Sequence, residues 1–361
     1  MNFLKILINN YNILYYILIT FILSMVKISI ISKKETNDLD YSELKLKISD
    51  ISVVYVNSLK RILYEYIPTY AFNIENIKIE KSNTFIDNSR LRDRFQYLPI
   101  INIENNIDFL DKKFSEIDYS NIKHPRHPEE NIITVKFAEN NTKEQYKNVT
   151  TNNIKYYINN KEIKSPYNEK YPFLFNYLRN GEYIQCIMTS SLGIGLTHPI
   201  YQPVYHTFYY QDGDNIIFTV HSKGQDSELN LLKKSCRTAK ILLNNEKDTI
   251  WTLLHEVNIF SKLVYEYKEY HDPEDIKNLT MDNFTLANII CEELQKDKEN
   301  IEFAGVCKEN YFDKIVHLKI RFNSKYYKNE NKDQIYHKIL LKAIDKCISK
   351  FDEIEKELNK L

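Results

Sequence analysis

The apolar and polar positions of this chain follow the same order twice. Near the N-terminus, Lys27-Ile28-Ser29-Ile30-Ile31 and residues 43–48 alternate and predict strands. Asp50 stands where a helix N-cap belongs. Val53, Val56, Leu59, Ile62, Leu63 and Tyr66 then recur at three- and four-residue steps, one apolar stripe on a helix that Pro68 stops. Alternation returns over 71–80, with Phe72, Ile74, Ile77 and Ile79 apolar. Near the C-terminus, 261–270 and 275–281 predict strands, and Asp282 or Asn283 caps a helix continued by Leu286, Ile289, Ile290, Glu293 and Leu294. Residues 301–306 and 314–320 alternate again. The last helix carries Ile335, Ile339, Ile344, Ile348, Phe351, Ile354, Leu358 and Leu361 as one stripe.

Between these units, 101–205 reads as a mostly β insert with Asn- and Lys-rich loops. Strands resume from Phe208 to Val220, and Asp212-Gly213-Asp214 sits where a hairpin turn belongs. A helix follows from about Leu229 on the apolar face Leu231, Leu232, Cys236, Ala239, Leu242 and Leu243. Its basic residues Lys233, Lys234, Arg237 and Lys240 predict a solvated face, with a partner-binding face as the alternative. Residues 246–260 connect the halves without a Gly/Ser linker.

Composition removes several function classes. The chain has 361 residues, enough for two or three cores, and 49 basic residues balance 49 acidic ones, so the average charge gives no support to polyanion binding. A local patch is the remaining route. The scarcity of Gly and Pro beside abundant Asn, Ile, Lys and Tyr is what an AT-rich genome encodes. Cys186, Cys236, Cys291, Cys307 and Cys347 form no Cys-x-x-Cys pair, which argues against a zinc or iron–sulfur site and for reduced, buried thiols. No metal or cofactor is expected, because two-metal nucleotidyl transfer needs clustered carboxylates and only the hairpin pair Asp212 and Asp214 comes close.

Three blocks carry a family resemblance. Val56-Asn57-Ser58-Leu59-Lys60-Arg61-Ile62-Leu63 leads into Tyr66-Ile67-Pro68-Thr69-Tyr70-Ala71, followed by Arg94 and Leu98-Pro99-Ile100. Gly193-Ile194-Gly195-Leu196-Thr197-His198-Pro199-Ile200-Tyr201-Gln202-Pro203-Val204 has the spacing Gly-Ile-Gly, His, aromatic, Pro-Val. Asn283-Phe284-Thr285-Leu286-Ala287-Asn288-Ile289-Ile290 leads into Ile301-Glu302-Phe303-Ala304-Gly305. In that order they resemble the α-like assembly subunits of cellular RNA polymerases, fused as the third- and eleventh-subunit types, an arrangement found in large nucleocytoplasmic DNA viruses. Two departures stand out: Asn88-Ser89-Arg90 replaces the family's acidic helix opening, and Lys308-Glu309-Asn310-Tyr311 replaces its Pro-His-Pro-type turn.

The resemblance implies an α+β fold of two α-like dimerisation units in one chain plus a β-rich insert. The first unit would take 26–100 and 206–245, the insert 101–205, and the second 261–361. It implies an intramolecular pseudo-heterodimer whose core includes Val56, Leu59, Ile62, Leu63, Leu286, Ile289, Ile290, Ile344, Ile348 and Phe351. Lys60, Arg61, Arg94, Gly193, Gly195, His198, Tyr201 and Pro203 become candidates for partner contacts. The implied role is a non-catalytic platform holding the two largest polymerase subunits, with small polymerase subunits as further partners and DNA reached only through the complex. The implied location is a cytoplasmic viral factory or the virion, with the host nucleus as an alternative.

Residues 6–24 bear no charge and pull another way. They read as a membrane anchor or signal, as an ordinary buried segment, or most simply as upstream sequence ahead of a true start at Met25, where a strand begins. The rival function resting on them is a membrane-anchored viral structural or interaction protein. A stand-alone enzyme would have only Cys186 and His198 to offer.

Overall fold

The computed structural model describes residues 26–36, 41–103, 105–115, 125–255, 276–281, 283–308, 310, 316–326 and 332–361. The apolar leader, the expected strand over 261–270 and Asp282 lie outside them. The fold is mixed α+β. It begins with β1 (Lys27–Thr36), β2 (Tyr41–Ser49), α1 (Val53–Glu65), β3 (Thr69–Ala71), β4 (Ile77–Ser82), α2 (Asn88–Phe95) and the short α3 (Lys112–Ser115). The middle supplies β5 (Ile133–Asn140), β6 (Tyr146–Thr150), β7 (Lys155–Ile158), β8 (Lys161–Ile163), β9 (Leu174–Arg179), β10 (Tyr183–Thr189) and β11 (Ser191–Gly193). Then come β12 (Val204–Asp212), β13 (Asn215–Ser222), α4 (Glu228–His255), β14 (Ile276–Met281), α5 (Phe284–Lys296), β15 (Ile301–Cys307), β16 (Val316–Phe322) and α6 (Lys332–Leu358).

A four-stranded antiparallel sheet in the order β1-β2-β13-β12 and a three-stranded sheet β14-β16-β15 share one hydrophobic core with α1, α4, α5 and α6. Strand alternation delivers Leu44, Leu46 and Ile48 from β2, and Leu318 and Ile320 from β16, into it. The helix stripes supply the rest: Val56, Leu59, Ile62 and Leu63 from α1, Leu286, Ile289 and Ile290 from α5, and Ile344 and Phe351 from α6 are all buried there. Ile348 is half-buried against the same core, whereas Leu361 lies past the end of α6 and is exposed.

Two local expectations change, and a third helix end is defined by its cap. The cap of α1 is Ser52, whose Oγ accepts from Val54 N at 3.3 Å, while Asp50 turns the chain at φ 59° and pairs with Lys27 at 3.4 Å. The stretch over 71–80 is two short strands broken by a 3-10 turn at Ile74–Asn76, with Asn73 capping it. At α2, the residue before Asn88-Ser89-Arg90 is the N-cap: the Asp87 carboxylate accepts from Ser89 N at 3.0 Å.

The division drawn at residue 100 is displaced toward the N-terminus. Strand β4 joins the insert's five-stranded sheet, in the order β4-β10-β5-β7-β8, by pairing with β10. Tyr70, Phe72, Ile77, Leu91, Phe95 and Leu98 are buried in the insert core with Val135, Phe137 and Met188. The chain therefore leaves the first core at Pro68 rather than at residue 100.

Contacts of Asn102, Asn105 and Asp108 fasten the insert to α4 and its approach. Asn102 N donates to Gly224 O at 2.8 Å, and Asn105 Nδ2 to Pro68 O at 2.8 Å. Lys234, almost fully buried, donates to Asn105 O at 2.5 Å and to Asp226 Oδ2 at 2.7 Å. Thr238 Oγ1 donates to Asp108 O at 2.7 Å. Lys234→Ala removes the donor to Asp226 Oδ2 and to the Asn105 carbonyl, and is expected to lower stability by about 2 kcal/mol, read as a drop in urea midpoint at unchanged slope. An unchanged midpoint would show these contacts to be dispensable.

Candidate functional site

Two features bear on function: the seam where the two sheet–helix units meet, and the loop of the Gly-Ile-Gly segment. At the seam, Tyr55 of α1 sits edge-on to Phe351 of α6 with ring centroids 5.6 Å apart. Its hydroxyl donates to the buried Glu293 Oε1 of α5 at 2.8 Å, and Lys296 Nζ donates to the same oxygen at 2.8 Å. Burial, with Cys347 and Glu293 nearby, pushes the Tyr55 hydroxyl far above its ordinary range, so it stays a donor. Asn283 caps α5 by accepting from Thr285 N and Leu286 N, and its Nδ2 donates to Tyr66 Oη at 2.9 Å at the end of α1.

The basic residues of α4 are not a solvated face. Arg237 Nε donates to Glu355 at 3.1 Å while its Nη1 holds Asp108 at 2.9 Å. Lys240 holds Asp352 at 2.6 Å and Glu355 at 2.7 Å, and Lys247 holds Asp345 at 2.6 Å. As α4 advances from 237 to 240 to 247, its partner on α6 steps back from 355 to 352 to 345, so the two long helices run antiparallel in one register. Half-exposed pairs of this kind add little energy. Their effect is on pairing, since a basic edge facing an acidic one disfavours α4 against α4 and α6 against α6.

The loop after β11 closes on the C-terminal turn of α1. β11 pairs with β3, and Leu196 N donates to Glu65 O at 2.9 Å, satisfying a carbonyl that the helix end leaves open. Both glycines are needed for contact and neither for an unusual φ, since the positive-φ glycines described are Gly181, Gly213 and Gly224. A Cβ on Gly195 would lie 1.9 Å from Tyr64 O, and one on Gly193 would lie 2.7 Å from the Tyr201 ring. The close approach is thus made by this chain's own helix and tyrosine.

The remaining motif residues hold the loop's shape. His198 Nδ1 accepts from Ile200 N at 3.2 Å and caps the 3-10 turn Pro199–Tyr201. Tyr201 Oη meets Ser191 Oγ at 2.8 Å and Asn73 Nδ2 at 3.4 Å. Pro203 O accepts from Lys223 N at 2.9 Å. On α1, Arg61 pairs with Glu65 at 3.1 Å, and Lys60 Nζ lies 5.8 Å from the Tyr209 ring centroid on β12. Lys60, Arg61 and the Gly193–Pro203 loop therefore lie on or against α1, and Leu196 of the loop is exposed. Arg94 belongs elsewhere: its Nη1 donates to Phe175 O of β9 in the insert at 3.1 Å. A latch that the sequence did not signal is Glu130, which accepts from Leu192 N at 3.2 Å and from Arg126 at 3.3 Å.

Nucleophilic chemistry finds no support in this geometry. Cys186 lies in the insert core, where burial pushes its thiol up to about 12, and the His198 Nδ1 is occupied by its cap. Asp212 and Asp214 flank Gly213 in the two-residue turn between β12 and β13. Among the described residues no group of three or more His, Cys, Asp or Glu is placed to hold a metal ion.

Burial likewise raises Cys291 to about 11, Cys347 to about 12, and Cys236 further. The unfolded thiols ionise from about 9, while the folded ones keep their protons to higher pH. Their contribution to stability is therefore fully present below pH 9 and declines as pH rises from 9 toward 12. Urea midpoints are expected to fall steadily between pH 8.5 and 10.5, and a flat profile would contradict this placement of the thiols.

Among the described residues no helix is long and apolar enough to cross a membrane. No family model matches the chain, and no curated protein matches its sequence.

Proposed function

We propose that this chain is the non-catalytic assembly platform of a DNA-directed RNA polymerase, two α-like dimerisation units of the third- and eleventh-subunit types paired in cis with a β-rich insert between them. The observation that carries this reading is the single core shared by the two sheet–helix units, closed by α1 against α5 and by the antiparallel pair α4 and α6. Each unit presents a helix face too apolar to stand in water alone, which is the character of an obligate interface. Tethering makes the pairing intramolecular, so it proceeds without a free partner chain.

In this reading the surface of the first unit that carries Arg61, Leu196 and the Gly193–Pro203 loop docks on a large subunit. The loop is braced from within by Tyr201, His198 and the C-terminus of α1, so its outer face meets the partner already ordered and loses little conformational freedom on binding. The polymerase chemistry belongs to the large subunits. Co-expression of this chain with the two largest polymerase subunits of its own source tests the role: a stoichiometric ternary complex by size exclusion, absent when this chain is omitted, is the expected result. Large subunits that associate equally well without it would refute the platform role.

A further inference from the structure

The chain has eight arginines, and four of them are matched to carboxylates: Arg61 to Glu65, Arg126 to Glu130, Arg237 to Asp108 and Glu355, and Arg321 to Glu302. The other four, Arg90, Arg92, Arg94 and Arg179, are exposed and have no carboxylate partner among the described residues. They lie on adjoining elements of the insert. Three are on α2, and Arg94 reaches across to β9. Arg179, on β9, lies 4.3 Å from the centroid of Phe85, two residues ahead of the α2 cap Asp87.

The β6–β9 ribbon and the residues leading into α2 border an open groove of about 440 Å³ whose lining includes Phe85, Ile86, Tyr146, Asn148, Tyr177, Arg179 and Glu182. Its rings face solvent: Phe85 is 76% exposed, Tyr146 57% and Tyr177 53%. The ribbon of β6 and β9 pairs Tyr146 with Arg179 and Asn148 with Tyr177, so aromatic, amide and guanidinium groups share one face. Two of the nearby acids are engaged: Glu182 accepts from Phe85 N at 2.9 Å and Arg179 N at 2.8 Å, and Asp87 from Ser89 N at 3.0 Å; Asp93 and Glu144 are exposed carboxylates.

Solvated aromatic faces beside unpaired guanidiniums suit a ligand that has flat rings and regularly spaced anions. We propose that this groove binds single-stranded nucleic acid, with a base stacked on Tyr177 or Tyr146 and flanking phosphates held by Arg179 and the α2 arginines. A duplex keeps its base faces stacked inside and cannot use the rings in this way. The contact is local, which is why the zero net charge of the chain does not reveal it. It rests on the insert alone and stands apart from the assembly role.

The test is fluorescence anisotropy of the full-length chain with a labelled single-stranded RNA of about 12 nucleotides and mixed sequence, at low and moderate salt. Saturable binding that weakens with salt is expected, with Tyr177→Ala and Arg179→Ala each lowering affinity about tenfold. The exposed positions keep thermal melting unchanged, and Phe303→Ala, exposed on β15, serves as the control that leaves binding intact. The same-sequence duplex should compete poorly. No binding by the wild-type chain at low salt would overturn the proposal, as would binding indifferent to both groove variants. Preferential displacement by an acidic peptide over unlabelled RNA would overturn it in favour of a protein partner.

Discussion

Phe351→Ala is expected to lower stability by about 3–5 kcal/mol, the largest single-residue effect in the shared core. Phe351 is fully buried and lies edge-on to Tyr55, so truncation removes the ring's burial and leaves a cavity at the point where α1 and α6 meet. Partial collapse is hindered on both sides. Tyr55 is held by its hydrogen bond to Glu293, and the register of α6 is held by the Arg237, Lys240 and Lys247 pairs. Because the core belongs to both units, helicity and near-ultraviolet signals from α1 and α6 should be lost together, at a lower urea midpoint. A loss under about 1 kcal/mol would mean that the two units do not depend on one core.

Gly195→Ala is expected to lift the Gly193–Pro203 loop from α1 and weaken large-subunit binding at least about tenfold, the loss that follows when an ordered docking surface must be re-formed on binding. The added Cβ would stand 1.9 Å from the Tyr64 carbonyl oxygen, and neither backbone has a flexible end that could yield. Separation of the loop breaks the Leu196 N to Glu65 O bond and exposes the end of α1. The folding penalty is about 1–3 kcal/mol, smaller than that of Phe351→Ala, because the shared core is not touched. A melting temperature lowered by no more than this penalty requires, with the chain still folded and co-purification lost, is the signature sought. Full co-purification at normal stability would place the partner contact elsewhere.

Both predictions depend on features with very different visibility in the sequence. The helix stripes were legible because a helix's apolar period is local: Val56 to Leu63 and Leu286 to Ile290 identify their buried faces within two turns. The strand alternation of β2, β13 and β16 was legible for the same reason. What failed was non-local. Strand β4 pairs with β10 about a hundred residues on, so nothing between 71 and 82 marks it as part of the insert sheet.

Arg237 and Lys240 of α4 looked solvated because their acids on α6, Asp352 and Glu355, lie more than 110 residues away. The Gly-Ile-Gly spacing is visible in the sequence, but not that Tyr64 and Tyr201 of the same chain pack against the two glycines. At the start of α1 Asp50 stands where a cap belongs in the sequence, but it adopts a left-handed turn and Ser52 caps the helix instead. The arginine–aromatic groove left no sequence pattern, since Phe85, Tyr146 and Arg179 come from three separate segments.

The platform account is tested most directly by affinity purification of the tagged chain from the cells in which it is naturally produced, with co-purifying proteins identified and quantified by mass spectrometry. The account predicts the two largest RNA polymerase subunits at one copy each per chain, and their loss with Gly195→Ala. Recovery of membrane or capsid proteins in their place, with no polymerase subunit above background, would contradict it.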